Sequence, residues 1–217
     1  MTELCFTFDN GPEPGATPQV LEVLARRRIP ASFFVVGEKL RDPMRRALAE
    51  RARAEGHAIG NHTLTHGTPL GRRSGAEAIA EITAAEALLD GLRATPPLFR
   101  PNGGGGALGP HLLNRSAARH LAAGGYTIVL WNSVPGDFAD PEGWPERALD
   151  AARAEAPVLM VLHDLPNGAM RHLDRVLGTL ADRGVRFVAA PPESCVPMRA
   201  GRAQPGLDAC VSEDPAP

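Results

Sequence analysis

Leu4-Cys5-Phe6-Thr7-Phe8-Asp9-Asn10-Gly11-Pro12 decides the fold. Residues 4–8 are aromatic and β-compatible and read as a buried strand, which Gly11-Pro12 ends with a tight turn. Asp9 and Asn10 are thereby pinned at the strand's C-terminal end. A carboxylate in that position is desolvated, which costs free energy unless it is paired or functional. An Asx-turn closing the strand accounts for the local sequence equally well.

Similar short apolar runs recur at 31–36 (ASFFVV), 57–60 (HAIG), 97–100 (PLFR), 126–131 (YTIVLW), 157–162 (PVLMVL) and 185–189 (VRFVA). Their β-branched and aromatic content suits buried parallel strands. Helical patterns lie between them. Thr17-Pro18 reads as an N-cap followed by proline at the first helical position, with Val20, Leu21, Val23 and Leu24 along one side. Residues 41–55 form a second helix that closes at Gly56, and 76–92 a third carrying Ile79, Ile82, Leu89 and Leu92. Further helices are expected at 109–123, 144–155 and 169–183.

Strands alternating with helices imply right-handed βαβ units. A (β/α) barrel short of eight strands and a doubly wound open sheet both fit that alternation. The polar residues decide between them. Asp9 follows the first strand, His62 the third, Arg100 the fourth, Asp137 the fifth and His163 the sixth. Reactive groups at the ends of several strands suit the mouth of a barrel, whereas an open sheet concentrates them at one switch point. The expectation is one domain over 1–195 and an irregular tail over 196–217, rich in proline, glycine and acid.

Composition narrows the function. The chain has 217 residues with Lys+Arg 23 against Asp+Glu 25, a balance that argues against a general nucleic-acid or anionic-membrane surface. Lys39 is the only lysine. Three cysteines, Cys5, Cys195 and Cys210, cannot all pair, and none has metal-knot spacing. No apolar stretch approaches the ~18 residues of a membrane span. The first residues have neither a basic region nor an apolar core typical of a secretory signal, so a cytoplasmic location is expected.

Several local signals carry chemistry. Asn61-His62-Thr63-Leu64-Thr65-His66 places two histidines four apart, which on a helical turn would face one zinc-like ion, with Thr63 and Thr65 as hydrogen-bond partners. Two surface histidines on a turn are the plainer alternative. Arg100-Pro101-Asn102 followed by four glycines, 103–106, sets a guanidinium before bare backbone that a substrate can approach closely, and a flexible loop accounts for the glycines equally well. It lacks the Gly-Lys-Ser/Thr of a phosphate loop. His163 ends the most apolar strand, where a lone histidine is more often a satisfied structural group than a catalyst, and Asp137-Phe138 offers a partner for a cleft histidine or arginine.

In this order, Thr-Phe-Asp-Asn-Gly-Pro, Asn-His-Thr-Leu-Thr-His, Arg-Pro, Trp…Asp-Phe and Leu-His resemble the polysaccharide deacetylase family, also known as carbohydrate esterase family 4 or the NodB-homology domain. The resemblance spans roughly residues 3–190. It implies an α/β fold, a distorted (β/α) barrel of about seven parallel strands. It makes Asp9 the general base, Arg100 the group that pairs with and orients it, and His163 the general acid. Asp137 is implied as the tuner of a catalytic partner, and Asn10, His62 and His66 as the metal positions. The cofactor implied is a divalent metal, zinc with cobalt or nickel as alternatives, activating water for attack on an amide. A backbone N–H near Gly103 is expected to help hold the oxyanion.

This sequence departs from the family pattern in three places. Asn10 replaces the metal-binding aspartate, so weaker metal binding and a more Lewis-acidic ion are expected. Arg100-Pro101-Asn102-Gly103-Gly104 lacks the aromatic that walls the sugar site. Val134 replaces an acid and Phe138 a tryptophan. The leading expectation is a metal-dependent hydrolase that removes an N-acetyl or similar small acyl group from an amino-sugar substrate. One alternative is a metal-independent amidase acting on cyclic imides, ureides or other small amides. Another is a non-catalytic carbohydrate-binding protein, which the survival of five chemically coupled positions disfavours.

Overall fold

A computed structural model describes residues 2–214. The strands are β1 (Glu3–Asp9), β2 (Ala31–Val35), β3 (Ala58–Asn61), β4 (Leu98–Phe99), β5 (Leu113–Asn114), β6 (Thr127–Ile128), β7 (Val158–His163), β8 (Arg186–Phe187), β9 (Met198–Arg199), β10 (Arg202–Ala203) and β11 (Val211–Ser212). The helices are α1 (Thr17–Arg27), α2 (Pro43–Ala54), α3 (Gly75–Leu88), α4 (Arg115–Ala123), α5 (Trp144–Ala151) and α6 (Leu173–Asp182). The main sheet runs β10-β9-β6-β4-β3-β2-β1-β7, with β8 also paired to β1. Each strand read from the sequence is present, and these seven pair in parallel.

The sheet curls into a distorted (β/α) barrel. After β6 the chain crosses to the far edge, where Ser133 bridges Met160 of β7. The Ser133 N–H donates to the Leu159 carbonyl at 3.1 Å, and the Val161 N–H returns a bond to the Ser133 carbonyl at 2.9 Å. The run 126–131 is therefore a strand only at its start, because its second half leaves the ladder to close the ring.

Alternation along the two central strands sorts their side chains. Leu4, Phe6 and Phe8 of β1, with Val158, Met160 and Leu162 of β7, pack outward with α1, α5 and α6 in one core. Cys5, Leu159 and Val161 face the other way, into a second core inside the barrel with Phe34, Phe99 and Trp131. Period two then puts Asp9 and His163 on that interior side. They are register partners across the β1–β7 ladder. Two strands thus deliver a carboxylate and an imidazole side by side.

Helix ends follow their capping residues. The Asp42 carboxylate accepts from the Met44 N–H at 2.8 Å, and Ser74 with Glu77 forms a reciprocal capping box on α3. Gly56 follows α2 with φ 92°, as its C-terminal position requires. The expected Thr17 cap is corrected: Ala16 is the N-cap, Thr17 the first helical residue, and the Thr17 hydroxyl donates to Asp164 instead. The helix expected from 109 starts at Arg115, because Asn114 caps it and Leu113–Asn114 pairs with β11. The tail expected to be irregular carries β9, β10 and β11. β9 extends the main sheet antiparallel to β6, and Met198 and Cys210 are buried. β8 is half-exposed rather than buried.

Candidate active site

The mouth of the barrel holds a cavity of about 300 Å³ that Asp9, Asn10, His62, His66 and His163 line together. Arg100 stands behind them, wholly buried. Its Nη1 donates to Asp9 Oδ1 and to Thr7 Oγ1, both at 2.7 Å. Its Nε and Nη2 donate to the carbonyls of Val129 (3.0 Å) and Leu130 (3.2 Å), and the guanidinium lies 4.1 Å over the Phe34 ring. A rigid fork this fully used fixes the carboxylate it holds. Burial works against ionising Asp9, but the surrounding groups, the Arg100 charge first among them and the facing His62 and His163 after it, together hold the carboxyl below its usual range.

His163 has the opposite bias. The buried Asp137 carboxylate accepts from the His163 backbone N–H at 2.7 Å and meets its ring Nδ1 at 3.0 Å. Burial disfavours the imidazolium, yet Asp137, with Asp9 adding to it, raises the His163 pKa above its ordinary value. With Nδ1 committed to Asp137, Nε2 is the nitrogen left to carry a proton to a substrate. Phe138 packs edge-on against this ring at 4.9 Å.

The two other histidines meet through turns. The expected helical turn over 62–66 is absent: Thr63 and His66 take left-handed backbone with φ 66° and 53°, and these bends bring the rings to 4.8 Å. Thr63 and Thr65 do not set an imidazole tautomer. Thr63 Oγ1 accepts from the His66 backbone N–H at 3.1 Å, and Thr65 binds Glu81 of α3 through its N–H (3.0 Å) and hydroxyl (2.8 Å). The tautomer of His62 is set by the Arg100 carbonyl, 2.8 Å from Nδ1, which can only accept. Burial pushes His62 down to about 4, and burial lowers His66 too. Both rings are neutral bases at pH 7.

These donors fit a divalent cation. The His62 Nε2 lone pair faces Asp9 Oδ2 at 3.5 Å, two electron-rich atoms with no proton of their own between them. Asn10 Oδ1 is buried with no hydrogen-bond partner, an arrangement expensive to leave unfilled. Among the described residues no three His, Cys, Asp or Glu side chains form a ready cation cluster; here the third donor is an amide. Two imidazoles and a carbonyl oxygen are a borderline set suited to zinc, cobalt or nickel.

The opposite wall is apolar. Trp131 lines it and donates from Nε1 to the Gly106 carbonyl at 2.6 Å, seating the glycine loop. A Cβ on Gly103 would lie 2.8 Å from both Trp131 and Leu112. Trp131 and Leu112 thus leave no room for a side chain at Gly103 as they stand. Sequence reading assigned no site role to Lys39, Glu81, Asn102 or Asp164. Asn102 Nδ2 donates to the Gly67 carbonyl at 2.6 Å and ties the Arg100 loop to the His66 loop.

Comparison with known proteins agrees with this geometry. The family model described as polysaccharide deacetylase matches residues 2–129. The chain belongs to the polysaccharide deacetylase family. It is a hydrolase of carbon–nitrogen amide bonds, polysaccharide-deacetylase-like. It is 30% identical over 195 residues to a peptidoglycan-N-acetylglucosamine deacetylase of Bacillus cereus, covering 85% of this chain and 84% of that one. It is 34% identical over 212 residues to a chitooligosaccharide deacetylase of Sinorhizobium fredii, covering 85% and 88%. A family 4 carbohydrate esterase from Streptomyces lividans, solved with acetate, shares the fold with TM-score 0.73 at 24% identity, over 90% of this chain and 96% of that one. A peptidoglycan deacetylase from Bacillus subtilis aligns with TM-score 0.70 at 26% identity, over 86% and 87%. No helix among the described residues is long and apolar enough to cross a membrane.

Proposed function

We propose that this deacetylase-family chain hydrolyses the amide of an N-acetylated, or similarly small N-acylated, amino sugar. The relatives named for peptidoglycan N-acetylglucosamine and chitooligosaccharides support that substrate class. The observation that carries the mechanism is geometric. Asp9 is paired with Arg100 at 2.7 Å and His163 with Asp137 at 3.0 Å, on facing register positions that line one cavity. This favours the base form of one group and the acid form of the other.

Asn10, His62 and His66 would hold a divalent cation, zinc with cobalt or nickel as alternatives, which when bound supplies Lewis-acid activation of water and carbonyl. Asp9 takes a proton from the attacking water as its oxygen bonds to the acyl carbon. Arg100 keeps the Asp9 carboxylate ionised and aimed. A backbone N–H of the glycine loop near Gly103, which lines the cavity, would hold charge gathering on the carbonyl oxygen. His163 gives its Nε2 proton to the nitrogen as the C–N bond breaks, so a neutral amine leaves with the acid product. Asp137 holds the imidazolium in orientation.

A cavity of about 300 Å³ is at the small end of ligand sites, which suits one acylated sugar unit rather than a long polymer track. The expected cytoplasmic location belongs to this proposal, and fractionation of producing cells tests it. The deciding assay follows acetate release from chitooligosaccharides and monomeric N-acetyl sugars, before and after chelation. Release that stops with chelator and returns with zinc supports the reading. Absence of acetate under every metal condition sinks it, and chelator-resistant hydrolysis of cyclic imides or ureides puts the metal-independent amidase in its place.

A further inference from the structure

The chain uses lysine once among 23 Lys and Arg residues, at Lys39. Lys39 lies in the short 3-10 turn Gly37–Arg41 after β2. Its Nζ donates to the Asn10 carbonyl at 2.7 Å and pairs with the Glu13 carboxylate. The next two carbonyls are held from the same segment: Gly11 by the Val36 N–H at 3.2 Å, and Pro12 by Arg45 Nη1 at 3.0 Å. Three successive carbonyls are thus gripped from residues 36–45.

The grip matters because of the backbone it holds. Asn10 has φ 73°, in the left-handed region that persists only where its surroundings over-determine it. Its Oδ1 makes no hydrogen bond, so no polar partner holds that oxygen in place and the backbone fixes the point from which the side chain projects. We infer that Lys39 is a positioning residue that fixes the Asn10 carboxamide beside His62 and His66, which rests on the proposed role of Asn10 as a ligand. Lysine suits this task. Its compact ammonium serves a carbonyl and a carboxylate at once, where the planar guanidinium fork demands a different geometry.

Charge and position make opposite demands. A cation beside a metal position repels the ion. On charge alone, removing Lys39 tightens metal binding. If Lys39 positions the carboxamide, removing it weakens metal binding despite the gain in charge balance.

The test is calorimetric titration of the metal-stripped full chain with Zn²⁺, paired with the visible spectrum of bound Co²⁺. Lys39→Met keeps the stem without charge or donor, and Asn10→Gly removes the amide while permitting the positive φ. Lys39→Met is expected to weaken Zn²⁺ by roughly tenfold, the size of one lost charge-assisted hydrogen bond, and to alter the Co²⁺ spectrum, with metal-free melting showing an intact fold. Unchanged or tighter binding in Lys39→Met, with binding weakened in Asn10→Gly, overturns the inference alone. Unchanged binding in Asn10→Gly overturns the ligand role and this inference together. If Lys39→Met does not fold, Lys39→Arg replaces it: weakened Zn²⁺ binding supports the inference, and wild-type binding overturns it.

Discussion

Arg100 and Asp9 form a 2.7 Å ion pair inside the barrel, with the arginine side chain fully buried and the aspartate 6% exposed. Neither charge can turn to water, so each depends on the other. Arg100→Met leaves a buried carboxylate uncompensated and is expected to cost about 3–5 kcal/mol of stability. It is also expected to abolish turnover, because Asp9 then takes up a proton and loses its function as a base. Asp9→Asn in the same background removes the stranded charge and should recover part of the stability but no activity. Urea titration of the single and double variants checks this; equal stability of Arg100→Met and wild type would refute it.

The pairing of Asp137 with His163 sets the alkaline limit of the reaction. His163 must be protonated to give its proton away, and its folded pKa lies above its ordinary value. The acid form is therefore present below that raised pKa and lost above it. Asp137→Asn removes the charge that raises it, so the alkaline limb of kcat/KM should move to lower pH. Stability follows the same sign. The favourable His163–Asp137 interaction is fully present below the unfolded pKa and disappears as pH rises through the folded one. A pH–rate profile whose alkaline limb is unmoved by Asp137→Asn removes His163 from the acid role.

The parts of this site that were legible in the sequence are those carried by local pattern. β7 is an unbroken apolar run ending in His163, and residues 4–8 of β1 are apolar but for Thr7 and end at Asp9, so strand and polar terminus were both readable. The approach of Arg100 to Asp9 was readable only through family resemblance, since 91 residues separate them. Spacing misled at His62 and His66: four apart suggests a helix, but the turn is built by left-handed Thr63 and His66 and anchored from α3 by Glu81. The Lys39 and Asp164 contacts left no local signal, because the network around residues 10–13 joins groups from β1, α1, the turn before α2 and the end of β7. The tail looked irregular because two-residue strands lack periodicity and become strands only by pairing, β9 with β6, β10 with β9 and β11 with β5.

Gly103 marks where this chain parts from the family pattern, and the space beside it says why an aromatic cannot simply be restored. Its missing Cβ would sit 2.8 Å from Trp131 and Leu112. Gly103→Ala is expected to displace Trp131 and cost about 1–3 kcal/mol by overpacking, with turnover reduced because the neighbouring N–H shifts. Gly103→Tyr should be worse on both measures. Thermal melting and acetate release test this together. A Gly103→Tyr protein as stable as wild type and faster on chitooligosaccharides would mean that Trp131 yields freely.

Asp164 offers a pH-dependent stability switch. Its carboxyl is fully buried at the end of β7, with one oxygen accepting from the Thr17 hydroxyl and the other without a partner. Burial pushes its pKa up to about 7, so the folded protein keeps this carboxyl neutral over a range where the unfolded chain ionises it. The unfolded chain binds fewer protons between about pH 4 and 7, and stability should fall as pH rises through that window and level off above it. Asp164→Asn keeps the shape and an acceptor for Thr17 without the cost of ionisation. At pH 8 the variant should therefore be more stable than wild type by a few kcal/mol, and the difference should vanish as pH falls toward the unfolded aspartate pKa. Gly11 packs its Cα against this carboxyl, where a Cβ would come within 2.1 Å of Oδ2, so shape must be kept: Asp164→Leu is expected to push the Asn10–Pro12 loop outward and destabilise at every pH. Denaturant midpoints measured from pH 5 to 8 decide the matter, and a pH-independent difference between Asp164→Asn and wild type would show that Asp164 is ionised in the fold.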